Sequence, residues 1–277
     1  MTGKANKFFP NSRKKRQVHH SALNDSRFRR YYPASWFSGL GSWLLRFLLG
    51  WSAWELTYSA TWVGIIGSLM LAPALVLSPW FGILSDRVNP RHGLRVSMLI
   101  HCSIALIGAL STQLGIYNQS TLIFLATALG VVTSLHSPMR LALVPLLVER
   151  EALPSAVGYA AMSFNIARIL GPALGAILVA QGDARLPWLV SMVMFGVSFW
   201  VLSRLVEVAE RPPPTQLSFI EQLIEGLRYL SDRAGLKLLL ALTVLNGLMG
   251  RTVIELLPAV SGQILQGGSS ELAALVA

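Results

Sequence analysis

The apolar residues of this chain come in blocks long enough to cross a lipid bilayer, and that feature excludes most folds at once. Seven blocks can be read: Pro33–Leu56, Trp62–Leu84, Gly93–Tyr117, Ser120–Met139, Pro154–Ala180, Leu186–Leu205 and Leu236–Val260. Each supplies roughly the 20 mainly apolar residues that a hydrocarbon core of about 30 Å requires. Inside that core every backbone N–H and C=O has to be satisfied within its own segment, so the blocks are predicted to be α-helices. Charge content agrees, because only 13% of the 277 residues are charged. A soluble domain carries about 25%, so much of this surface does not face water.

The net charge of +10 is unevenly placed. Residues 1–30 read as a polar, basic arm carrying Lys4, Lys7, Arg13, Lys14, Lys15, Arg16, Arg27, Arg29 and Arg30. The run Arg13-Lys14-Lys15-Arg16 can be read as a nucleic-acid patch. The preferred reading is a disordered cytoplasmic arm held near anionic headgroups, where each cation contributes roughly 1 kcal/mol. When the spans alternate, Arg87, Arg91, Arg95, Arg140, Arg150, Arg204, Arg211, Arg228, Arg233 and Lys237 fall on the side of the arm. The opposite side receives only Arg185. Lys and Arg stay cytoplasmic, so a multi-pass protein of the bacterial inner membrane with a cytoplasmic N-terminus is expected. The first apolar stretch starts too late and runs too long for a cleavable signal, which makes it a retained anchor. The single cysteine, Cys102, excludes an internal disulfide and any CxxC site.

The connection after the sixth span is long. Arg211-Pro212-Pro213-Pro214 stops any helix, and Ser218-Phe219-Ile220-Glu221 reads as a capping box that opens a new one. Phe219, Ile220, Leu223, Leu227 and Leu230 then recur at helical spacing, which predicts an amphipathic helix lying on the inner membrane face. The expected organisation is a basic arm (1–30), a six-helix unit (31–206), a cytoplasmic linker (207–235) and the start of a second unit (236–277). Glu271–Ala277 begins a further apolar run too short to span, so the chain reads as truncated after its seventh helix. Asn118-Gln119-Ser120 matches a glycosylation acceptor but abuts a span and is read as chance.

Between the second and third spans stands Gly82-Ile83-Leu84-Ser85-Asp86-Arg87-Val88-Asn89-Pro90-Arg91. A carboxylate followed by arginines makes a charged cluster able to pair with helix ends, and Gly82 permits close helix approach. This stretch resembles the signature loop of the major facilitator superfamily, G-x-L-[A/S/G]-D-R followed by basic residues. Gly82, Leu84, Asp86, Arg87 and Arg91 carry the match; Asn89 and Pro90 depart from it.

Ser137-Pro138-Met139-Arg140, Val144-Pro145 and then Asn165, Arg168, Gly171, Pro172 and Gly175 are similar to the drug-exporter branch with enterobactin-exporter-like members. Ala176 replaces the final glycine of that branch's antiporter motif. Read from the residues alone, Asn165, Arg168, Pro172 and Gly175 share one helical face. Pro172 can bend the helix, and Gly171 with Gly175 offers a small-residue packing surface. Plain packing and a transport role are both open for this element.

The resemblance implies an all-α integral membrane bundle of the major facilitator type. This chain would supply its N-terminal six-helix half plus the seventh helix. It further implies gating by the signature loop against a C-terminal half not present in this chain. The function implied is secondary active transport, with proton-coupled export of a small amphipathic molecule resembling a drug or siderophore. Lysophospholipid or lipid transport is an alternative, as is a non-transporting truncated scaffold. A membrane-embedded enzyme is disfavoured, because no phosphate loop, nucleophile elbow or paired carboxylates are present. No cofactor or nucleic-acid partner is expected; the partners are a small-molecule substrate and the bilayer.

Charges well inside spans are functional candidates by default. Arg46, Arg251 and Glu255 are the candidate cavity charges, and Arg251 and Glu255 stand four apart, where they can neutralise each other. Many relatives carry an aspartate near the position of Ser42, a proton site missing here. The five histidines show no metal spacing, and a site between His101 and His136, in different spans, is not the preferred reading.

Overall fold

The computed structural model describes residues 21–205 and 219–246. The Arg13–Arg16 run, the triple proline, Arg251, Glu255 and the last apolar run lie outside them. Among the described residues every regular element is helical. Six helices build the bundle: α1 (Ser26–Thr57), α2 (Ala60–Arg87), α3 (Pro90–Gln113), α4 (Gln119–Leu143), α5 (Leu153–Ala180) and α6 (Leu186–Ser203). Five of them, α2 to α6, are long and apolar enough to cross a membrane. Their outer faces carry large exposed apolar side chains such as Leu75, Phe124 and Val193, the surface expected of a chain solvated by lipid.

The helix α1 is different. It carries Arg46 and a run of serines, and it turns much of that polar content inward: Ser35 and Ser38 are buried. It also starts earlier than its apolar content predicts. Asp25 caps it, accepting from the Arg27 N–H at 2.9 Å. One turn on, Phe28 is fully buried, with its ring 5.7 Å from that of Tyr32 and 6.4 Å from that of Tyr159 on α5. Ala22 is buried too, and its N–H donates to Ser155 Oγ at 3.1 Å. Arg27, Arg29 and Arg30 are exposed on the other face of the same turns. Counting charges assigned these residues to the arm, whereas helical periodicity gives them an aromatic inner face that packs.

Small residues set the close helix contacts. Gly39 of α1 meets Ala167 of α5, Gly171 lies on Trp43 and Leu44, and Gly175 lies on Phe47. Gly41 of α1 sits against the Phe195 ring of α6, and Gly108 of α3 sits against the Trp188 ring. Helices in lipid associate through such close packing because lipid tails offer no hydrophobic drive between them. Hydrogen bonds across helices are few, and one is Ser198 Oγ donating to Ala34 O at 2.9 Å.

The packing pattern has an internal symmetry. α1 packs on α5 and α6, α4 packs on α2 and α3, and α3 packs on α6. Matching α1–α3 onto α4–α6 maps these contacts onto one another, the arrangement expected of a three-plus-three repeat.

The ends of the bundle differ in chemistry. At the end away from the α2–α3 connection, Arg185 donates to Asp183 through Nε (3.0 Å) and Nη2 (3.1 Å). These bonds hold the Asp183 carboxyl below its ordinary range. The contact is therefore present at neutral pH and is lost only as the pH falls below the usual carboxylate range. Both groups are exposed, so Asp183→Asn should leave the unfolding midpoint unchanged. Asn118, the glycosylation-like position, caps α4 instead: its Oδ1 accepts from the Thr121 N–H at 3.1 Å. Asn118→Ala should cost about 1 kcal/mol, read as a lowered midpoint of thermal unfolding.

Beyond the six helices, α7 (Phe219–Ser231) begins next to the serine of the predicted capping box and touches α2. Ile220, Ile224 and Tyr229 are exposed along it. A short apolar helix, α8 (Ala234–Asn246), covers the described part of the seventh predicted span.

Candidate functional site

The signature loop is built by two helix ends. The first of these, α2, runs through Gly82 and Leu84 to Arg87, and Ser85 Oγ donates to Gly82 O at 2.6 Å. Val88 is extended. Asn89 then caps α3, accepting from the Arg91 N–H at 3.0 Å, and Pro90 occupies the first turn, where its missing N–H costs nothing. The two residues that depart from the family pattern are thus the ones that start α3.

The five matched residues divide. The Arg91 guanidinium reaches α6 and donates through Nε to Leu202 O (3.0 Å) and through Nη2 to Ser203 O (2.9 Å). It caps the C-terminus of that helix, where carbonyls lack partners and the dipole favours a cation. Arg95 follows one turn later, 5.4 Å over the Phe199 ring. Leu84, Asp86 and Arg87 are exposed, and a Cβ built on Gly82 meets no described atom within 4 Å. Arg91 therefore ties the six-helix unit together, while Leu84, Asp86 and Arg87 stand at exposed positions.

The strip on α5 also changes character along its length. Gly171, Pro172 and Gly175 are buried, with both glycines against α1. Asn165 and Arg168 are exposed, and Asn165 Nδ2 donates to Ala161 O at 2.9 Å. Tight packing accounts for the glycines, whereas the polar pair faces out of the bundle.

A polar seam runs inside it, between α1, α3 and α4. Buried Ser35 and Ser38, half-buried Ser42 and Arg46 come from α1. Arg46 lies 5.9 Å over the Trp43 ring and within electrostatic reach of His101. From α3 come Ser97 and His101, both buried; from α4 come His136 and Arg140. The His101 and His136 rings stand 5.8 Å apart, edge to face. Sequence spacing alone could not pair them. The available signal was local: Ser97 and His101 are four apart on one face of an otherwise apolar span. The carboxylates of α1 and α2, Glu55 and Asp86, sit near helix ends, and α3 to α6 contain none. At the end opposite the basic loops, a cavity of about 190 Å³ is lined by Trp51, Ser52, Glu55, Tyr117 and Trp188, among others.

Among curated proteins, the staphyloferrin A transporter of Staphylococcus aureus is 25% identical over 61% of this chain and 43% of its own length. Macrolide efflux protein A of Streptococcus pyogenes is 25% identical over 77% of this chain and 53% of its own. Macrolide efflux protein A of Enterococcus faecalis is 27% identical over 70% of this chain and 61% of its own. The chain thus spans about half the length of the curated relatives it matches. Residues 18–277 match the major facilitator family described as transmembrane secretion effector. An all-helical membrane bundle, a signature loop joining its second and third helices and a match across nearly the whole chain agree, and this protein belongs to that family of membrane transporters.

Proposed function

We propose that this protein is a proton-coupled exporter of the bacterial inner membrane, with its N-terminus and basic loops in the cytoplasm. It moves a small amphipathic molecule of the drug or siderophore kind. The observation that carries the reading is the open face at the basic end. Leu84, Asp86 and Arg87 carry the family pattern on exposed positions, and a Cβ at Gly82 would meet no described atom within 4 Å. A second six-helix unit meeting that face would close the cytoplasmic side and open it by rocking. The amphipathic α7 would lie on the inner membrane face as the link between them.

The seam narrows the substrate. Among the described residues its fixed charges are the cations Arg46 and Arg140, with no carboxylate on the facing stretches of α3 and α4. Such a lining favours neutral or anionic groups over cationic ones. Among the substrates that the relatives' names suggest, a carboxylate-bearing siderophore suits it better than a basic macrolide.

The test is retention in cells. A strain lacking the gene should hold several-fold more labelled siderophore or macrolide than its parent, and a protonophore should abolish the difference. Equal retention of both compounds would reject the reading. Gly82→Val should leave unfolding unchanged while reducing export several-fold, because its side chain would intrude only where the second unit meets the loop.

A further inference from the structure

We infer that Ser97, His101 and His136 form a two-imidazole site inside the bundle that carries one exchangeable proton. This inference deepens the exporter reading and rests on it for its link to transport. The hydrogen bonds define the resting site. Ser97 Oγ donates its single proton to Leu94 O at 2.8 Å. His136 Nδ1, 3.1 Å from the same oxygen, is then the donor to it. His101 Nδ1 donates to Ser97 O at 2.7 Å. Each ring thus carries its proton on Nδ1, and Nε2 is the position left to take up or release one.

The two rings differ in access. His101 is 1% exposed and packs 4.6 Å from the Phe195 ring of α6, while His136 is half-buried on α4. A hydronium ion reaching the pair through His136 gives up one O–H bond as a ring Nε2 lone pair forms an N–H bond, leaving water and an imidazolium; release to water reverses the step. The groups around the pair limit it to one proton. From α1 comes Arg46, from α4 Arg140, which Tyr31 of α1 also faces, and from α3 itself Arg95 and His92 nearer the basic end. α6 contributes only uncharged groups, and α2 has no titratable residue before Asp86. Among the described residues no carboxylate of α3 to α6 stands beside the pair, so repulsion opposes a second positive ring next to the first. Among the described residues no third His, Cys, Asp or Glu joins the pair, which separates a proton site from a metal site.

The proton can also do mechanical work. An imidazolium on His101 faces Arg46 of α1, and their repulsion pushes α1 away from α3. Loading and unloading the site thus biases the seam between a closed and a loosened arrangement.

The experiment uses the purified protein, with ¹⁵N-labelled histidine, in lipid nanodiscs. Imidazole nitrogen shifts are followed on stepwise acidification and back, in wild type, His101→Asn and His136→Asn. Asparagine keeps a donor near the Nδ1 position but cannot be protonated. We expect two Nδ1–H neutral rings at neutral pH, then one ring becoming imidazolium while the other stays neutral over at least a further tenfold rise in proton activity. In either variant the remaining ring should titrate as an isolated group. Two rings that titrate independently, or that both stay neutral until helicity is lost, would overturn the site.

Proteoliposomes separate the site from the transport reading. With a macrolide and a carboxylate siderophore as probes, wild type should show both exchange and uptake driven by a pH gradient. Either variant should keep exchange and lose the gradient-driven uptake at least tenfold. Variants that keep gradient-driven uptake overturn the coupling. If wild type moves neither probe, the exporter reading fails with the coupling, and the titration still decides whether the proton site exists.

Discussion

Gly130→Val should force α2 and α4 apart and destabilise the bundle by about 3 kcal/mol or more. A Cβ at Gly130 would lie 2.8 Å from Leu69 O, 2.9 Å from Met70 O and 2.9 Å from Pro73 Cγ. Two of these are backbone atoms of α2, which cannot swing away as a side chain can. Pro73 has no N–H to offer its own turn, so the Leu69 carbonyl is left without its helical donor. A side chain at 130 would be driven into that carbonyl, which the bare glycine leaves room for. This is also the most extensive helix contact in the bundle. The check is unfolding in mild detergent, with Gly130→Ala as a smaller step in the same direction. Gly82→Val serves as the contrast, since it is expected to unfold like the wild type.

Arg91→Ala should cost roughly 2 kcal/mol, the second large effect. Two charge-assisted bonds to the last carbonyls of α6 disappear, and a cation leaves the negative end of that helix. Partial exposure keeps the loss below the full value for buried charged bonds. Arg91→Lys should recover about half of it, because an ammonium cannot fork to Leu202 O and Ser203 O together. Unfolding midpoints of the three proteins measure this directly. A family motif position would then owe much of its effect to holding α3 on α6. Loss of transport in Arg91→Ala should therefore be compared with stability before it is assigned to gating.

The fold was legible because lipid imposes one rule on every span. Apolar length and the side on which Arg87, Arg91, Arg140 and Arg150 fall were enough to place α2 to α6 within a few residues. The start of α1 was not legible from charge density, since Phe28 and Tyr31 are interleaved with three arginines and only the helical period separates them. The signature loop and the α5 element were visible as patterns. What each residue touches was not: nothing in the pattern says that Arg91 reaches back to the end of α6. The seam was the least legible part. Its members sit on three helices, two of which, α3 and α4, meet closely where Gly93 lies against Met139. Nothing in the spacing of Ser97, His101, His136 and Arg46 encodes that register.

The most direct test of the central claim is uptake by purified protein in sealed proteoliposomes with an imposed pH gradient. A labelled carboxylate siderophore and a labelled macrolide are offered in parallel. The account expects at least one of them to accumulate several-fold above its equilibrium level, and expects that accumulation to collapse when the gradient is dissipated. Equal filling of protein-containing and protein-free vesicles by both compounds would contradict it.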